Sequence, residues 1–215
     1  MDVFFSPLAC SMATRIALNE AGGDANFLEV DPPTKALLSD NSDFRRVNGM
    51  GQVPAVRTDD GVVLTENAVV LQYIADRFPL ARLAPPATDM ARYQLQKWLN
   101  FVATELHKQI FIPVLSSTSP DGAKEFARAK SERVFVYLNA HLADRDYLLD
   151  EFSVADCYLV TVLNWAFATK VVDFSPWPNI MAYYQKLRTR PSVVKAIEIE
   201  TPLYVAELAR HRKAA

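Results

Sequence analysis

Short apolar runs alternate with helical patterns along the first part of the chain. An apolar run at Val3–Phe5 precedes apolar positions at helical spacing between about Ser11 and Ala21, and a second apolar run covers residues 27–30. Strand, helix and strand in this order predict a parallel pair of strands. Two further β-rich runs, VPAVRT and GVVLT, are joined by a Gly-containing turn and predict an antiparallel hairpin. A helix over residues 66–78 then completes a βαβ unit followed by a ββα unit.

The rest of the chain has the pattern of an all-α domain. The stretch LARLAPPATD contains two consecutive prolines that cannot continue a helix, and it predicts a linker at residues 81–88. We therefore place an α/β domain at residues 1–80 and a helical domain at residues 89–215. The predicted helices of the second domain cover about residues 89–112, 122–143, 153–169, 179–188 and 192–199.

The predicted helix at residues 153–169 differs from the others because it is apolar nearly all round. Ser153 and Asp156 begin it in a capping-box arrangement, with Asp in place of the usual Glu or Gln. A helix without a polar face belongs in the interior, so we expect it at the core of the helical domain. Cys157 on this helix is then interpreted as a small buried hydrophobic residue.

Composition and charge indicate a globular protein without a nucleic-acid footprint. Of the 215 residues, 50% are hydrophobic, which is enough for a sizeable core. The 23 basic and 25 acidic residues nearly balance, and no basic stripe with interleaved aromatic residues occurs. Only the last residues, RHRKAA, are locally basic, and we interpret them as a solvated tail.

Cysteine usage and apolar runs favour a cytoplasmic protein without a membrane partner. The start of the chain lacks a signal-peptide pattern, and no apolar run approaches the roughly 18 residues of a membrane helix. Cys10 and Cys157 are far apart and in unlike settings, which argues against a disulfide and for a reducing compartment. The histidines show no metal-ligand spacing, so we expect no metal and interpret His141 and His211 as surface residues.

Cys10 lies where the first predicted strand turns into the first predicted helix. At the start of a helix a thiol faces unpaired backbone N–H groups and the positive end of the helix dipole, and both favour the thiolate. The alternative is that Cys10 only fills a turn. In the sequence CSMA, Ala13 occupies the position of the second cysteine of a C-x-x-C redox motif, so a reactive Cys10 would need an external thiol.

Glutathione is the external thiol that suits the neighbouring residues. Pro54 lies at the entrance of a predicted strand, where it leaves the backbone of Val53 free to pair with a peptide. Glu66 and Asn67 begin the next helix, whose N-terminus can receive a carboxylate while the Glu66 side chain holds an ammonium group. Ordinary capping of that helix is the alternative explanation for Glu66 and Asn67.

Several segments, in order along both predicted domains, together resemble the bacterial beta-class glutathione transferases. The resemblance implies a thioredoxin-like α/β N-terminal domain and an all-α C-terminal domain, which is the glutathione transferase fold. It also implies glutathione as co-substrate and a homodimer with the glutathione site at the domain junction. The matching segments are SPLACSMATRIALNEAG, NGMGQVPAV, LTENAVVLQYIADRFP, WLNFVATELHK and FSVADCYL.

The resemblance assigns roles around the thiol. Cys10 corresponds to the residue nearest the glutathione sulfur and is able to form a mixed disulfide with it. Ser11 ranks second, either as a hydroxyl that donates to the thiolate or simply as the cap of the first helix. Pro54 corresponds to a cis-proline that positions the Val53 backbone to pair with the cysteinyl part of glutathione.

Other residues match the two ends of the tripeptide. Glu66 and Asn67 correspond to the γ-glutamyl grip, and Lys35 corresponds to the lysine that meets the glycyl carboxylate. The family commonly has Ser at the position of Asn67, but an amide also donates and accepts, so we expect binding to survive. Gly49 and Met50 replace the family's usual Pro and Lys, which removes a cation and loosens the loop, so we expect a lower affinity for glutathione.

A polar stripe runs along the first long helix. Asn100, Thr104, His107 and Lys108 share one face of this helix, with Glu105 alongside. Such a stripe alone indicates a solvated surface. Because TELHK matches the family, we expect these residues to contribute to the glutathione site, with His107 and Lys108 directed at the glutathione thiol as a cation or donor. The opposite face should pack inward and comprises Leu95, Trp98, Leu99, Val102, Leu106 and Ile110.

These interpretations favour a glutathione transferase of detoxification. The enzyme would lower the thiol pKa of glutathione and hold the thiolate beside a small hydrophobic electrophile. The electrophile is expected in an apolar pocket at the domain junction near Met12, Phe111 and Trp165. Two alternatives stay open. In the first, Cys10 catalyses glutathione-dependent thiol–disulfide exchange; in the second, the protein binds glutathione or an apolar ligand without turnover.

Overall fold

The computed structural model describes residues 1–169 and 171–214, which form two compact units. The first unit comprises residues 1–82 and the terminal helix that begins at Pro191, and the second comprises Leu83–Arg190. In the part of the chain described, no helix combines the length and the apolar character needed to cross a membrane.

The first unit is built on a four-stranded mixed sheet with the strand order β2–β1–β3–β4. The strands are β1 (Asp2–Phe5), β2 (Asn26–Glu29), β3 (Ala55–Arg57) and β4 (Val63–Leu64). Strand β1 pairs in parallel with β2 and antiparallel with β3, and β3 pairs antiparallel with β4. The predicted parallel pair and the predicted hairpin are therefore both confirmed.

Two helices of the first unit each follow a strand of this sheet along the chain. Helix α1 (Met12–Ala21) follows β1 after a turn that contains Cys10, and α2 (Asn67–Arg77) follows β4. The two helices pack against each other, and the side chains at the start of α1 are buried. Helix α1 ends at Gly22, whose φ of 62° lies in the left-handed region that glycine adopts without a Cβ clash.

The terminal helix α8 (Pro191–Ala214) groups with the first unit, where it packs against α1. The apolar spacing predicts a short helix at residues 192–199 in the helical domain and a solvated tail at the end of the chain. The helix instead continues through Pro202, although proline lacks the N–H group of a helical bond. It continues because residues on both sides of Pro202, including Glu200 and Glu207, are buried against the first unit.

The second unit is helical. Its elements are α3 (Met90–Phe101), which continues through π-helical turns at Val102–Phe111 into α4 (Ile112–Leu115), then α5 (Asp121–His141), α6 (Val154–Thr169) and α7 (Pro178–Arg188). The inward face predicted for the first long helix is confirmed, since all six of its apolar side chains are at most 2% exposed. Helix α6 is buried along most of its length and packs against α3, the π-helical turns and α7, as the apolar pattern predicts.

Helix α6 begins at a buried network around Asp156. Its carboxylate accepts hydrogen bonds from the N–H groups of Leu148 and Ser153 (2.8 and 2.9 Å), from the Ser153 hydroxyl (2.9 Å) and from the Tyr183 hydroxyl (2.7 Å). Burial raises the pKa of Asp156, and these bonds oppose that rise. The Asp156 half of the predicted capping box is present, because its carboxylate accepts from the Ser153 N–H group, and Cys157 beside it is fully buried as predicted.

Candidate functional site

The Cys10 side chain lies half-buried in the turn between β1 and α1. Its sulfur donates a hydrogen bond to the carbonyl oxygen of Val53, at an Sγ to O distance of 3.1 Å. Only the protonated thiol can make this contact, since a thiolate has no proton to donate and would face a carbonyl oxygen.

Ser11 does not serve the two roles that the sequence analysis considered. Its hydroxyl is fully buried, donates to the carbonyl oxygen of Ser6 and accepts from the N–H group of Ser6, both at 3.2 Å. It makes no side-chain hydrogen bond to the first turn of α1. The Ser6 hydroxyl in turn donates to the carbonyl of Val30 at 2.7 Å. Ser11 therefore closes the Cys10 turn on itself, and Ser6 ties that turn to Val30, directly after β2.

The peptide bond between Val53 and Pro54 is cis, and Pro54 is buried directly before β3. The preceding turn is well bonded, because the Asn48 side chain donates to the carbonyl of Gln52 at 2.7 Å and the N–H of Gly51 donates to the Asn48 carbonyl at 2.7 Å. Gly51 has a φ of 60°, which explains glycine there. The loosening expected from Gly49 and Met50 is thus offset by the Asn48 bonds.

Glu66 and Asn67 begin α2, but their side chains do not cap it. Glu66 is exposed, has a φ of 64° and makes no side-chain cap hydrogen bond. Asn67 is buried and its Nδ2 donates to the Cys10 carbonyl at 3.2 Å, while its Oδ1 has no partner in residues 1–169 and 171–214. Ordinary capping therefore does not explain these residues. A non-glycine residue held in the left-handed region costs free energy, and such residues cluster at functional sites.

Lys35 lies in a loop that follows β2 and is close to the Asn48 turn. Its φ of 63° is left-handed, and its N–H donates to the carbonyl of Asp31 at 2.9 Å. A Cβ built on Gly51 would lie 3.4 Å from the Lys35 side chain, so the lysine stem runs directly over this glycine. The first unit therefore joins Cys10 to Val53 and Asn67 by hydrogen bonds and brings Lys35 against the turn that precedes Val53.

In the second unit the predicted polar stripe divides into two parts. Asn100, Thr104 and Lys108 are exposed at intervals of four residues. The first two bond to their own helix, because the Asn100 amide donates to the carbonyl of Gln96 and the Thr104 hydroxyl donates to the carbonyl of Asn100. Glu105 is half-buried and pairs with Arg133 of α5 at 3.4 Å. Only three of the five residues thus share the exposed face.

His107 is buried against α6 and does not lie on the exposed face with the others. The π-helical turns explain the difference, because they widen the helix and rotate its side chains away from the positions of an ordinary α-helix. The imidazole Nδ1 shares a hydrogen bond of 2.7 Å with the Tyr158 hydroxyl, and the ring packs edge-on against Trp165 at 5.0 Å. Burial, aided by the charge of Lys108, lowers the pKa of His107 to about 4. His107 is therefore neutral at physiological pH, which excludes the predicted cation.

Tyr158 is the hydrogen-bond partner of His107, and the sequence pattern alone does not predict this pairing. It lies on the apolar helix α6, and a buried tyrosine hydroxyl needs a hydrogen-bond partner. This requirement is the feature of the sequence from which a polar contact of Tyr158 could be predicted. Of the residues suggested for the electrophile pocket, Met12 and Phe111 are fully buried and Trp165 is half-buried.

The histidines expected on the surface have structural contacts. His141 packs on the ring of Trp98 at 4.3 Å and bonds to the carbonyl of Leu148, and His211 pairs with Asp31 at 2.8 Å. Among residues 1–169 and 171–214, no group of three or more His, Cys, Asp or Glu side chains is placed to hold a metal ion.

Comparison with known proteins covers both units. Residues 9–77 match the N-terminal domain of glutathione S-transferases, and residues 91–191 match the C-terminal domain. Glutathione S-transferase GstA of Escherichia coli O157:H7 is 39% identical over 201 residues, which cover 93% of this chain and 98% of that relative.

Solved structures give the same result. A bacterial beta-class glutathione S-transferase of Sphingomonas chungbukensis superposes with a TM-score of 0.88 at 40% identity, covering 93% of this chain and 98% of that one. A sphingomonad glutathione S-transferase complexed with glutathione has a TM-score of 0.88 at 39% identity and covers 94% of this chain and 99% of the other. The fold, with its small mixed sheet followed by a helical domain, is the glutathione transferase fold. The chain therefore belongs to the glutathione S-transferase family and resembles its bacterial beta class.

Proposed function

We propose that this protein is a cytoplasmic, homodimeric glutathione transferase that conjugates the glutathione thiolate to small hydrophobic electrophiles in detoxification. The observation that carries the proposal is the cluster of Cys10, Val53 and Asn67, in which two hydrogen bonds join the thiol turn to the cis-proline strand and to the start of α2. This cluster lies within residues 9–77, the part that matches the family's N-terminal domain. The sphingomonad relative was solved with glutathione bound, which supports the same ligand here.

In this proposal the first unit recognises each part of glutathione by its chemistry. The exposed Glu66 carboxylate holds the ammonium group of the γ-glutamyl residue, and the N–H groups at the start of α2 receive its carboxylate. The backbone of Val53 pairs with the cysteinyl residue. Lys35 pairs with the glycyl carboxylate.

The polar residues of the second unit take part in the same reaction in this proposal. His107 is neutral, so it acts as a hydrogen-bond group for the thiolate, and Lys108 supplies the positive charge. Asn100, Thr104 and Glu105 contribute further polar groups. The glutathione thiol loses its proton to water, and the thiolate attacks the electrophilic carbon. The leaving group then departs with the electron pair of the broken bond.

Conjugation of glutathione to 1-chloro-2,4-dinitrobenzene, followed by the absorbance of the thioether product, tests the proposal. Replacing Glu66 by Gln removes a charged partner of the γ-glutamyl ammonium group, so we expect the KM for glutathione to rise about tenfold. Glu198→Gln is the matched control, because Glu198 is exposed on α8, and it should leave the KM unchanged. Equal KM values for the two variants would contradict the role of Glu66.

Cys10→Ala separates conjugation from the alternatives. If Cys10 acts only in thiol–disulfide exchange, the variant keeps conjugation and loses reduction of a glutathionylated peptide. If conjugation falls with Cys10, the thiol takes part in the transferase reaction. A parent protein that binds glutathione but turns over neither the electrophile nor the disulfide would contradict the proposed enzyme and favour a binding protein.

A further inference from the structure

The turn before Val53 contains Asn48 followed by Gly49, which is the only Asn–Gly pair in the sequence. The Asn48 side chain is bonded at both ends, because its Nδ2 donates to the carbonyl of Gln52 at 2.7 Å and its Oδ1 accepts from the N–H group of Met50 at 3.2 Å. The second bond forms an Asx turn, in which an asparagine side chain folds back over the peptide that follows it. The fold therefore keeps the amide carbon of Asn48 close to the backbone nitrogen of Gly49.

Gly49 leaves this nitrogen accessible. The residue is exposed, and a Cβ built on it would meet no heavy atom within 4 Å. Among residues 1–169 and 171–214, the N–H group of Gly49 has no hydrogen-bond acceptor. Since glycine carries no side chain that could block the approach, both a base and Cγ of Asn48 can reach the nitrogen.

These contacts favour an intramolecular attack on the Asn48 amide. The Gly49 nitrogen loses its proton to hydroxide and bonds to Cγ of Asn48, whose oxygen gains negative charge beside the N–H group of Met50. The bond from Cγ to Nδ2 then breaks, and Nδ2 takes a proton from water and leaves as ammonia. Water opens the resulting succinimide ring at either carbonyl, which gives aspartate or isoaspartate at position 48. The net reaction consumes water, releases ammonia and needs no oxidant or reductant.

The product cannot make the bond that the Asn48 amide makes to the end of the turn. A carboxylate has no proton to donate, so it faces the carbonyl of Gln52 without a hydrogen bond. Isoaspartate also adds a methylene group to the backbone of the turn. Gln52 directly precedes Val53, whose backbone pairs with the cysteinyl residue of glutathione in the proposed function. The change at position 48 therefore acts on the residue next to the proposed contact.

We propose that Asn48 is a site of spontaneous deamidation in the folded protein, and that this modification weakens glutathione binding because Gln52 loses its bond. The effect on binding rests on the proposed function, since it takes Val53 as a residue that pairs with glutathione. The modification itself requires no ligand. It requires Gly49, because proline, the family's usual residue at this position, has no N–H group and cannot attack.

Peptide mapping by mass spectrometry tests the modification. Trypsin releases residues 47–57 as one peptide, in which Asn48 is the only asparagine. After incubation of the folded protein at mildly alkaline pH, we expect this peptide to gain the mass difference between an amide and a carboxyl group, with fragment ions that place the change at Asn48. A sample digested at time zero measures deamidation during digestion. Gly49→Pro is the matched control and should show no change beyond that background.

A synthetic peptide with the sequence of residues 47–57 separates the effect of the fold from that of the sequence. The Asx turn of Asn48 and the free nitrogen of Gly49 predict that the folded protein deamidates at least as fast as this peptide. If the folded protein reacts more slowly than the peptide, the fold protects Asn48 and the inference is overturned. A folded protein that shows no mass change at Asn48 would overturn it as well.

Asn48→Asp tests the effect of the modification on glutathione binding. We expect the KM for glutathione in conjugation of 1-chloro-2,4-dinitrobenzene to rise several-fold, because the bond to Gln52 is lost. Asn41→Asp is the matched control, since Asn41 is exposed in the preceding loop and undergoes the same change of charge, and it should keep the KM of the parent.

Two results would contradict the effect on binding. The first is a parent-like KM for Asn48→Asp, and the second is an equal rise for Asn41→Asp, which would assign the effect to the added charge. A parent protein without transferase activity would contradict the proposed function instead. The mass measurement needs neither glutathione nor turnover, so it still decides whether Asn48 is the site of modification.

Discussion

His107 shows how burial changes the chemistry of a residue whose type the sequence singles out. The motif TELHK identifies the histidine, but the π-helical turns bury it against Tyr158 and Trp165. Desolvation then lowers its pKa to about 4, so the ring is neutral, and of the two expected roles, cation or donor, only the donor fits. A neutral imidazole can still donate one hydrogen bond, and that is the role left to it in the proposed reaction.

The low pKa of His107 makes stability depend on pH in a predictable direction. The unfolded chain binds the proton near pH 6.5 and the folded protein only near pH 4, so between these values the extra proton favours unfolding. Stability is therefore lost as the pH falls. From about pH 7.5 to pH 5, we expect the parent to lose about 2 kcal/mol more of its free energy of unfolding than His107→Asn, as measured by urea denaturation. Parallel pH profiles for the two proteins would contradict the assignment.

Tyr158 is expected to stabilise His107 through its hydroxyl group. Tyr158→Phe leaves the buried Nδ1 of His107 without that partner, which should lower the free energy of unfolding by about 1 to 3 kcal/mol in urea at neutral pH. Tyr137→Phe is the control, because Tyr137 is about half exposed. Removal of its hydroxyl should lower the free energy of unfolding by less than about 0.5 kcal/mol. Similar costs for the two variants would show that the Tyr158 hydroxyl contributes little.

At the scale of elements, the local patterns predicted most of the fold. The strands, the hairpin, α1, α2 and the apolar α6 follow from periodicity and turn residues that act within a few positions. The continuation of α8 beyond Pro202 was not predicted, because proline is a local signal for the end of a helix. Burial of Glu200 and Glu207 against distant residues stabilises the helix on both sides of this proline. The π-helical turns at Val102–Phe111 were missed because their apolar spacing also fits an ordinary α-helix.

The same distinction applies to the candidate site. Cys10, Val53 and Asn67 come from turns and element ends, so the topology alone was enough to expect them near one another. The bonds that decide their roles are different, because they join positions far apart in the chain. The contact of Asn67 with the Cys10 carbonyl spans 57 positions and the bond from Leu8 to Glu200 spans 192, so both depend on packing and no sequence pattern encodes them.

The capping network of α6 is expected to contribute strongly to the stability of the helical unit. The Asp156 carboxylate accepts from four donors in a buried setting, and Asp156→Asn places an NH₂ group against some of them. We expect the free energy of unfolding to fall by about 3 kcal/mol or more. Asp150→Asn, on an almost fully exposed side chain, is the control and should change it by less than about 0.5 kcal/mol. A cost below about 1 kcal/mol for Asp156→Asn would contradict this role.

At the scale of the whole molecule, we expect a homodimer on the basis of the family resemblance. Gel filtration with light scattering should give twice the chain mass of 24.1 kDa at micromolar concentration. A mass of 24.1 kDa that persists as the concentration rises would contradict the expectation.

The placement of α8 in the first unit determines the order in which the contacts of that unit can form during synthesis. The first unit contains the first residues of the chain and its last helix, whereas the helical unit is one continuous stretch between them. Residues of β1, the Cys10 turn and α2 precede the helical unit in the chain, whereas Glu200, which accepts a hydrogen bond from the N–H group of Leu8 in the Cys10 turn, follows it. During translation the Cys10 turn is therefore synthesised before the whole helical unit, and Glu200 only after it. The bond between Leu8 and Glu200 can form only once the ribosome has passed the entire helical unit.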